Sequence, residues 1–173
     1  QGNLTVKSQS HVTHDAEGRA DAFSQTVTDP LGVVTKTDRH GTNYSSLGFQ
    51  DSLTETVDSL DSAGIRTIST VRQGPSGYDA LGHLVQRHDE SRTAVYDNDM
   101  TLARETIKEE DLLVTSYNGL GQEEAYTKTA VITSPDGLLN QRTTTVFSDG
   151  KFNIVGQVTS NRLKAGSGRR SGV

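Results

Sequence analysis

The sequence predicts an all-β protein of stacked short β-hairpins, in which a repeat array forms an extended sheet or a shell-like wrap. Three observations support this fold class: a turn motif recurs along the chain, threonine-rich segments follow the turns, and helical periodicity is weak. The 173 residues fit one domain of ordinary size. Only 31% of them are hydrophobic, so the sequence predicts a thin core.

A five-residue turn motif, x-Asp-x-x-Gly with tyrosine often in first place, organises the chain. Its copies begin at residues 14, 28, 44, 60, 78, 96 and 117, and three of these copies are looser. Asp or Asn in second place can accept a hydrogen bond from the backbone two residues later, and Gly in fifth place supplies a positive φ. A period of about 16–20 residues then predicts strand, turn, strand, turn, at roughly 5–7 residues per strand.

The segments after the glycines have the composition of strands. Residues 65–71, 125–133 and 141–147 are rich in Thr, Val and Ile, which favour strands because they are β-branched. The one candidate helix, residues 100–113, contains Thr101, Thr106 and Ile107. We therefore predict a charged strand pair there, joined by a turn at residues 109–111.

Composition excludes several classes of protein. The chain has no Cys, which excludes a disulfide scaffold and cysteine redox or zinc sites. No apolar run reaches the ~18 residues of a membrane span, and the net charge of −5 argues against nucleic acid as a partner. The chain begins at Gln1 without a secretory signal, so we expect it to start after processing or within a longer reading frame.

The charges predict an assembly contact. We divide the chain into a repeat β domain, residues 1–161, and a basic Gly/Ser/Arg tail, residues 162–173. A basic tail that docks on the acidic stretch of a neighbour would make a head-to-tail contact; solvated surface charges are the alternative. The residues predicted for this contact are Arg162, Lys164, Arg169 and Arg170 in the tail and Glu109, Glu110 and Asp111 in the acidic stretch.

Two other groups of polar residues are candidates for chemistry. Asp97 and Asp99 resemble the opening of a calcium loop, in which alternate oxygen ligands converge on a cation. Leu102 and Lys108 occupy the places where an EF-hand needs Gly and Glu, so calcium binding would need another geometry, and ordinary Asx-turns are the alternative. His88-Asp89 is a possible acid–base pair, but no nucleophile motif accompanies it, and we expect no cofactor.

The turn motif resembles a known repeat. Residues 78–84, Tyr-Asp-Ala-Leu-Gly-His-Leu, followed by Tyr96-Asp97 and by Tyr-Asn-Gly-Leu-Gly at 117–121, resemble the tyrosine–aspartate (YD, or RHS) repeat of bacterial Rhs and wall-associated proteins, insecticidal toxin complexes and teneurins. The resemblance covers residues 14 to about 121. It implies a β-hairpin for each unit and a spiral of hairpins that builds a hollow shell.

These observations lead us to expect a non-enzymatic structural protein, extracellular or at the cell surface. An isolated hairpin is marginal in water and a sheet exposes unpaired edges. We therefore expect edge strands and terminal segments, here residues 3–8 and 152–163, to pair with copies of the chain or with flanking repeats, as in a filament or surface layer. One alternative is that the chain is part of an RHS-like shell or adhesin that encapsulates a toxin or binds a receptor or carbohydrate. The other is that it is a hydrolase that uses His88-Asp89 or Asp97 and Asp99.

Overall fold

The computed structural model describes residues 5–153 and 157–169. These residues form ten antiparallel strands in one open sheet, in which every strand hydrogen-bonds to its neighbours in sequence. The predicted all-β fold is therefore confirmed. The strands are β1 Val6–His14, β2 Ala20–Thr28, β3 Val34–Tyr44, β4 Gln50–Leu60, β5 Arg66–Tyr78, β6 Leu84–Tyr96, β7 Leu102–Tyr117, β8 Glu123–Thr133, β9 Asn140–Phe152 and β10 Val158–Arg169.

The predicted strand length is wrong. Each interval between turns holds one strand of 9–16 residues, where the spacing predicted two short ones. The turn predicted at residues 109–111 is also absent, because β7 continues from Leu102 to Tyr117. Residues 109–111 contain no Gly or Pro, and the carboxylate of Asp111 bonds to His88 on β6. The β-branched and apolar residues on both sides sustain an extended chain.

The turns have the predicted chemistry. At the turn between β5 and β6, Asp79 Oδ1 accepts hydrogen bonds from the backbone N–H of Leu81 and of His83, both at 2.9 Å, and Gly82 has a φ of 86°. One carboxylate or amide oxygen thus satisfies two backbone donors and closes the loop. The same two bonds recur at Asp15, Asp29, Asp61, Asp97 and Asn118.

Contacts divide the chain into two compact units, Gln1–Gln73 with Glu90–Ile107 and Gly74–Asp89 with Lys108–Val173. In the first unit the buried apolar side chains are Leu53 and Ala94, and in the second they are Val114 and Phe147. No described side chain is less than 2% exposed. The thin core that the composition predicted is therefore present, and most of the stability of each unit must come from partly buried strand faces and from the turns.

Backbone bulges interrupt three strands a few residues before a turn. The register shifts between Ser10 and Thr13 in β1 and between His40 and Asn43 in β3, where His11 and Gly41 have φ values of 53° and 62°. A third shift lies where β9 pairs with β10, and there Asp149 has a φ of 56°. Such bulges increase the local twist of a strand.

Met100 occupies the place that glycine takes in the other turns, and its φ is 60°. A side chain in this left-handed region costs about 1–2 kcal/mol, and Met100 is 52% exposed.

We expect Met100→Gly to raise the free energy of unfolding by about 1 kcal/mol, measured by urea denaturation. Gly32→Ala is the matched control: Gly32 has a φ of 84° and an added Cβ would meet no atom within 4 Å, so this change should lower stability by a similar amount. Equal stability of M100G and the wild type would contradict the prediction.

Candidate functional site

An aromatic contact links alternate turns. We call the residue before the Asp, Asn or Ser of a turn the lead residue, and the residue after its Gly the platform residue. The guanidinium carbon of Arg19, a platform residue, lies 4.3 Å from the ring centroid of Tyr44, the lead residue two turns later. In the second unit the rings of His83 and Tyr117 are stacked at 4.6 Å and 21°. Tyr44 and Tyr117, which lead two copies of the motif, thus each pack over the turn two places earlier in the chain.

The lead tyrosines also bond to the backbone of the earlier turn. The hydroxyl of Tyr44 donates to the carbonyl of Ala20 at 2.8 Å, and the hydroxyl of Tyr117 donates to the carbonyl of Leu84. Ala20 and Leu84 each follow directly after a platform residue. Burial raises the pKa of the Tyr117 phenol, so it stays a hydrogen-bond donor. Tyr44 and Tyr117 therefore each contact two successive residues, the platform residue of the earlier turn and the residue after it.

The platform side chains are held flat by their own turns. Arg19 Nε lies 2.7 Å from Asp15 Oδ2, and His83 Nδ1 lies 2.9 Å from Asp79 Oδ2. The guanidinium of Arg19 and the imidazole of His83 are planar groups, and each is bonded to the Asp four residues earlier. This bond lies at the edge of the group and leaves one face free for an aromatic ring. Amide platforms are held by a bond in the opposite direction, in which Asn118 Nδ2 donates to Gln122 Oε1 at 2.7 Å and Asn153 Nδ2 donates to Gln157 Oε1 at 3.0 Å.

The two edge strands carry basic residues and no acidic ones. β1 contains Lys7, and β10 contains Arg162, Lys164 and Arg169. Arg162 is 3.5 Å from Asp149 but its side chain is 79% exposed. The predicted tail boundary at residue 162 lies inside β10, since residues 162–169 continue that strand. The side chain of Arg169, and all of Arg170, lie outside the described residues.

The acidic stretch, residues 109–111, is largely engaged within the chain. Glu110 lies 2.6 Å from Lys108 and 2.6 Å from Lys128, with its side chain only 13% exposed. Burial acts to raise the pKa of Glu110, but the hydrogen bonds from the two lysines more than offset it and lower that pKa. Glu109 is exposed. Glu110 therefore already has two cationic partners, which leaves Glu109 and Asp111 as the exposed acids of this stretch.

His88 is paired, but with a different carboxylate from the one expected. His88 Nδ1 lies 2.7 Å from Asp111 Oδ1 on the neighbouring strand, whereas Asp89 lies 2.8 Å from Arg87. The hydrogen bond to Asp111 raises the pKa of His88. The predicted His88-Asp89 acid–base pair is wrong, because successive residues of a strand point to opposite faces.

The calcium candidates belong to a turn. Asp97 Oδ1 accepts from the N–H of Asp99 at 3.0 Å and of Thr101 at 2.8 Å, and Asp99 is exposed. Within residues 5–153 and 157–169, no three His, Cys, Asp or Glu side chains are grouped so as to hold a metal ion. Asp97 and Asp99 supply only two carboxylates, and both lie in one turn. Calcium binding there stays a prediction.

A groove of about 520 Å³ opens on the second unit. It is lined by polar and apolar side chains of neighbouring strands, among them Pro75, Gln86, His88, Asp111, Leu113 and Thr129. Leu113 is 51% exposed in it. The His88–Asp111 pair and Arg87 supply the charged and hydrogen-bonding groups of this surface. This groove could not be recognised in the sequence, since its lining depends on how the successive strands β5 to β8 are aligned with one another.

No protein-family model matches the sequence, and neither a curated protein nor a solved structure is similar to the chain. The resemblance to the YD repeat thus has no support beyond the residues that carry it. In the described part of the chain, no helix is long and apolar enough to cross a membrane.

Proposed function

We propose that the chain is a non-enzymatic, extracellular structural protein that assembles with copies of itself through its edge strands. The observation that carries the proposal is the open sheet formed by the described residues, in which the first and last strands, β1 and β10, each have one neighbour. Unpaired edges readily accept another strand. The thin core adds support, because contacts with a neighbouring copy would add stability that each unit has little of.

Edge pairing explains such an assembly better than docking of the basic tail on the acidic stretch. Residues 162–169 already pair with β9, from Arg162↔Ser148 to Arg169↔Gln141, and Glu110 is already bonded to two lysines. The two modes differ in their dependence on salt. Opposite charges would attract less as salt rises, whereas two basic edges would repel less.

Sedimentation velocity at low and high ionic strength tests the proposal. We expect oligomers to increase from about 0.02 M to about 1 M salt, because the Debye length falls from roughly 20–30 Å to about 3 Å. Lys7→Glu should promote oligomers at low salt by removing the repulsion between edges. Lys151→Glu is the matched control, since Lys151 is exposed on the interior strand β9. A monodisperse monomer at high protein concentration in every salt would overturn the proposal.

A second candidate function follows from the groove and the turns. The chain would be part of a YD-repeat shell that encapsulates a toxin, or of a surface adhesin that binds a receptor or carbohydrate. The groove beside His88 and Asp111 offers both apolar and hydrogen-bonding groups, which suits a sugar or peptide. Electron microscopy of the purified protein separates the possibilities, since filaments favour the first proposal and hollow particles the second.

A further inference from the structure

Among the described residues, one lead residue and one platform residue at the two edges of the sheet lack the partner that the others have. His14 is a lead residue at the end of β1, and the turn after it, at residues 15–19, is the first of the described chain. Gln157 is a platform residue directly before β10, the last strand. Within residues 5–153 and 157–169, His14 therefore has no earlier platform to cover, and Gln157 has no later lead residue to cover it.

His14 and Gln157 have the chemical groups that such a contact needs. His14 is exposed and carries an aromatic ring with a nitrogen that can donate a hydrogen bond, as the tyrosine hydroxyl does at Tyr44 and Tyr117. The Gln157 amide is exposed and is held by Asn153, as the Gln122 amide is held by Asn118. An aromatic ring can stack on such a planar group.

The polarity of the strands permits the contact. β10 leads away from the turn at residues 153–157, and β1 leads towards the turn at residues 15–19. A β1 strand that pairs antiparallel with β10 thus brings its own turn beside the turn that precedes β10. With an even number of strands in the sheet, the alternation of strand directions continues unbroken from one copy to the next.

We propose that β1 of a second copy pairs with β10, and that its His14 stacks on Gln157 and donates a hydrogen bond to the carbonyl of Val158. This inference rests on the proposed assembly and specifies its interface. Val158 follows the platform residue directly, as Ala20 and Leu84 do. The contact is head-to-tail, so it leaves a free β1 and a free β10 at the two ends and builds an open polymer or a ring.

The same register explains the expected dependence on salt. With His14 opposite Val158, Lys7 lies opposite Ala165, the residue next to Lys164, so the antiparallel pairing brings the positive charges of the two edge strands near each other. β10 also presents small side chains at residues 165–168, Ala-Gly-Ser-Gly, which offer no steric barrier to a new strand. In this interface, repulsion between positive charges opposes the pairing, and the hydrogen-bonding groups of the two strand edges favour it.

Substitution at His14 tests the stacking. The hydrogen bond that His14 donates is worth about 0.5–1.5 kcal/mol net, so His14→Ala, which removes it together with the stacking, should raise the concentration needed for assembly by about 2–10-fold. His14→Tyr, which reproduces the contact of Tyr117, should keep or lower it. His40→Ala is the control, because His40 is an exposed imidazole on the interior strand β3. Equal assembly of the H14A, H40A and wild-type proteins would overturn the inference while the assembly itself stands.

Disulfide cross-linking tests the register. Because the chain has no Cys of its own, only the introduced cysteines can form a disulfide. Directly opposed residues have Cα atoms about 4.5–5.5 Å apart, which suits a disulfide. Oxidation of the double variant H14C/V158C should give a ladder of covalent multimers, whereas H14C/L163C, with the second cysteine five residues further along β10, should give few. Similar ladders from both variants would overturn the register, and a monomeric wild type would overturn both the assembly and the interface.

Discussion

Phe147→Ala is expected to lower the free energy of unfolding by about 3–5 kcal/mol, the usual range for removing a buried phenylalanine. Phe147 is 8% exposed, and its ring is stacked on Tyr126 with centroids 5.0 Å apart. It also covers Gly150 so closely that a Cβ there would lie 2.8 Å from the ring. The alanine variant therefore loses contacts on two sides of the ring and leaves a cavity.

The effect should be large for the size of the chain, because there is little other core to compensate. Val114 and Phe147 are the buried apolar side chains described in the second unit, and small domains are stable by only about 5–15 kcal/mol. We expect the far-ultraviolet signal of β-structure to be lost at a markedly lower urea concentration.

Val146→Ala is the matched control for Phe147→Ala. Val146 precedes Phe147 on β9, faces the other side of the sheet and is 38% exposed, so its truncation should cost about 1 kcal/mol or less. Both variants keep the strand and its backbone hydrogen bonds. A Phe147→Ala variant no less stable than Val146→Ala would show that the ring is not a core residue.

The turns could be predicted from the sequence because their chemistry is local. Asp79 and Gly82 act on backbone groups within four residues, so the identities and spacing of these residues are sufficient. Met100 shows the limit of this reasoning: the other contacts of the turn hold a residue other than glycine at a φ of 60°. Local chemistry therefore predicted where the chain turns, including one turn whose fifth place lacks glycine.

The contacts between strands could not be predicted, since they depend on register. The pairing of His88 with Asp111 requires β7 to pass residues 109–111 without a turn, whereas the sequence analysis placed a turn there. The platform residues were missed for a different reason. Arg19, His83 and Gln157 differ in charge and size and share only a planar group, so no single residue type marks the pattern.

Bulges were a further source of error. His11 and Asp149 adopt positive φ without being glycine; nothing next to His11 marks a bulge, whereas Gly150 after Asp149 is a turn signal at which β9 makes a bulge and no turn. The bulges in β1 and β3 shift the register just before the lead residues His14 and Tyr44. The register near the lead residues thus depends on features that the hydrophobic pattern does not record.

Tyr117→Ala is expected to lower the free energy of unfolding by about 2–4 kcal/mol, because it removes both the stacking on His83 and the hydrogen bond to the Leu84 carbonyl. Tyr117→Phe keeps the ring and should cost only about 0.5–1.5 kcal/mol, the net value of one hydrogen bond. Urea denaturation of both variants separates the two contributions.

A double-mutant cycle between Tyr117 and His83 decides whether the pair acts as a platform contact or merely as two nearby side chains. If the rings stabilise each other, Tyr117→Ala and His83→Ala should be less damaging together than the sum of the two, with a coupling energy of about 0.5–1.5 kcal/mol. The same cycle with Tyr44 in place of Tyr117 should give no coupling to His83, because Tyr44 covers Arg19. Additive effects in the first cycle would mean that the stacked geometry contributes nothing, and the role assigned to His14 would then lose its precedent within the chain.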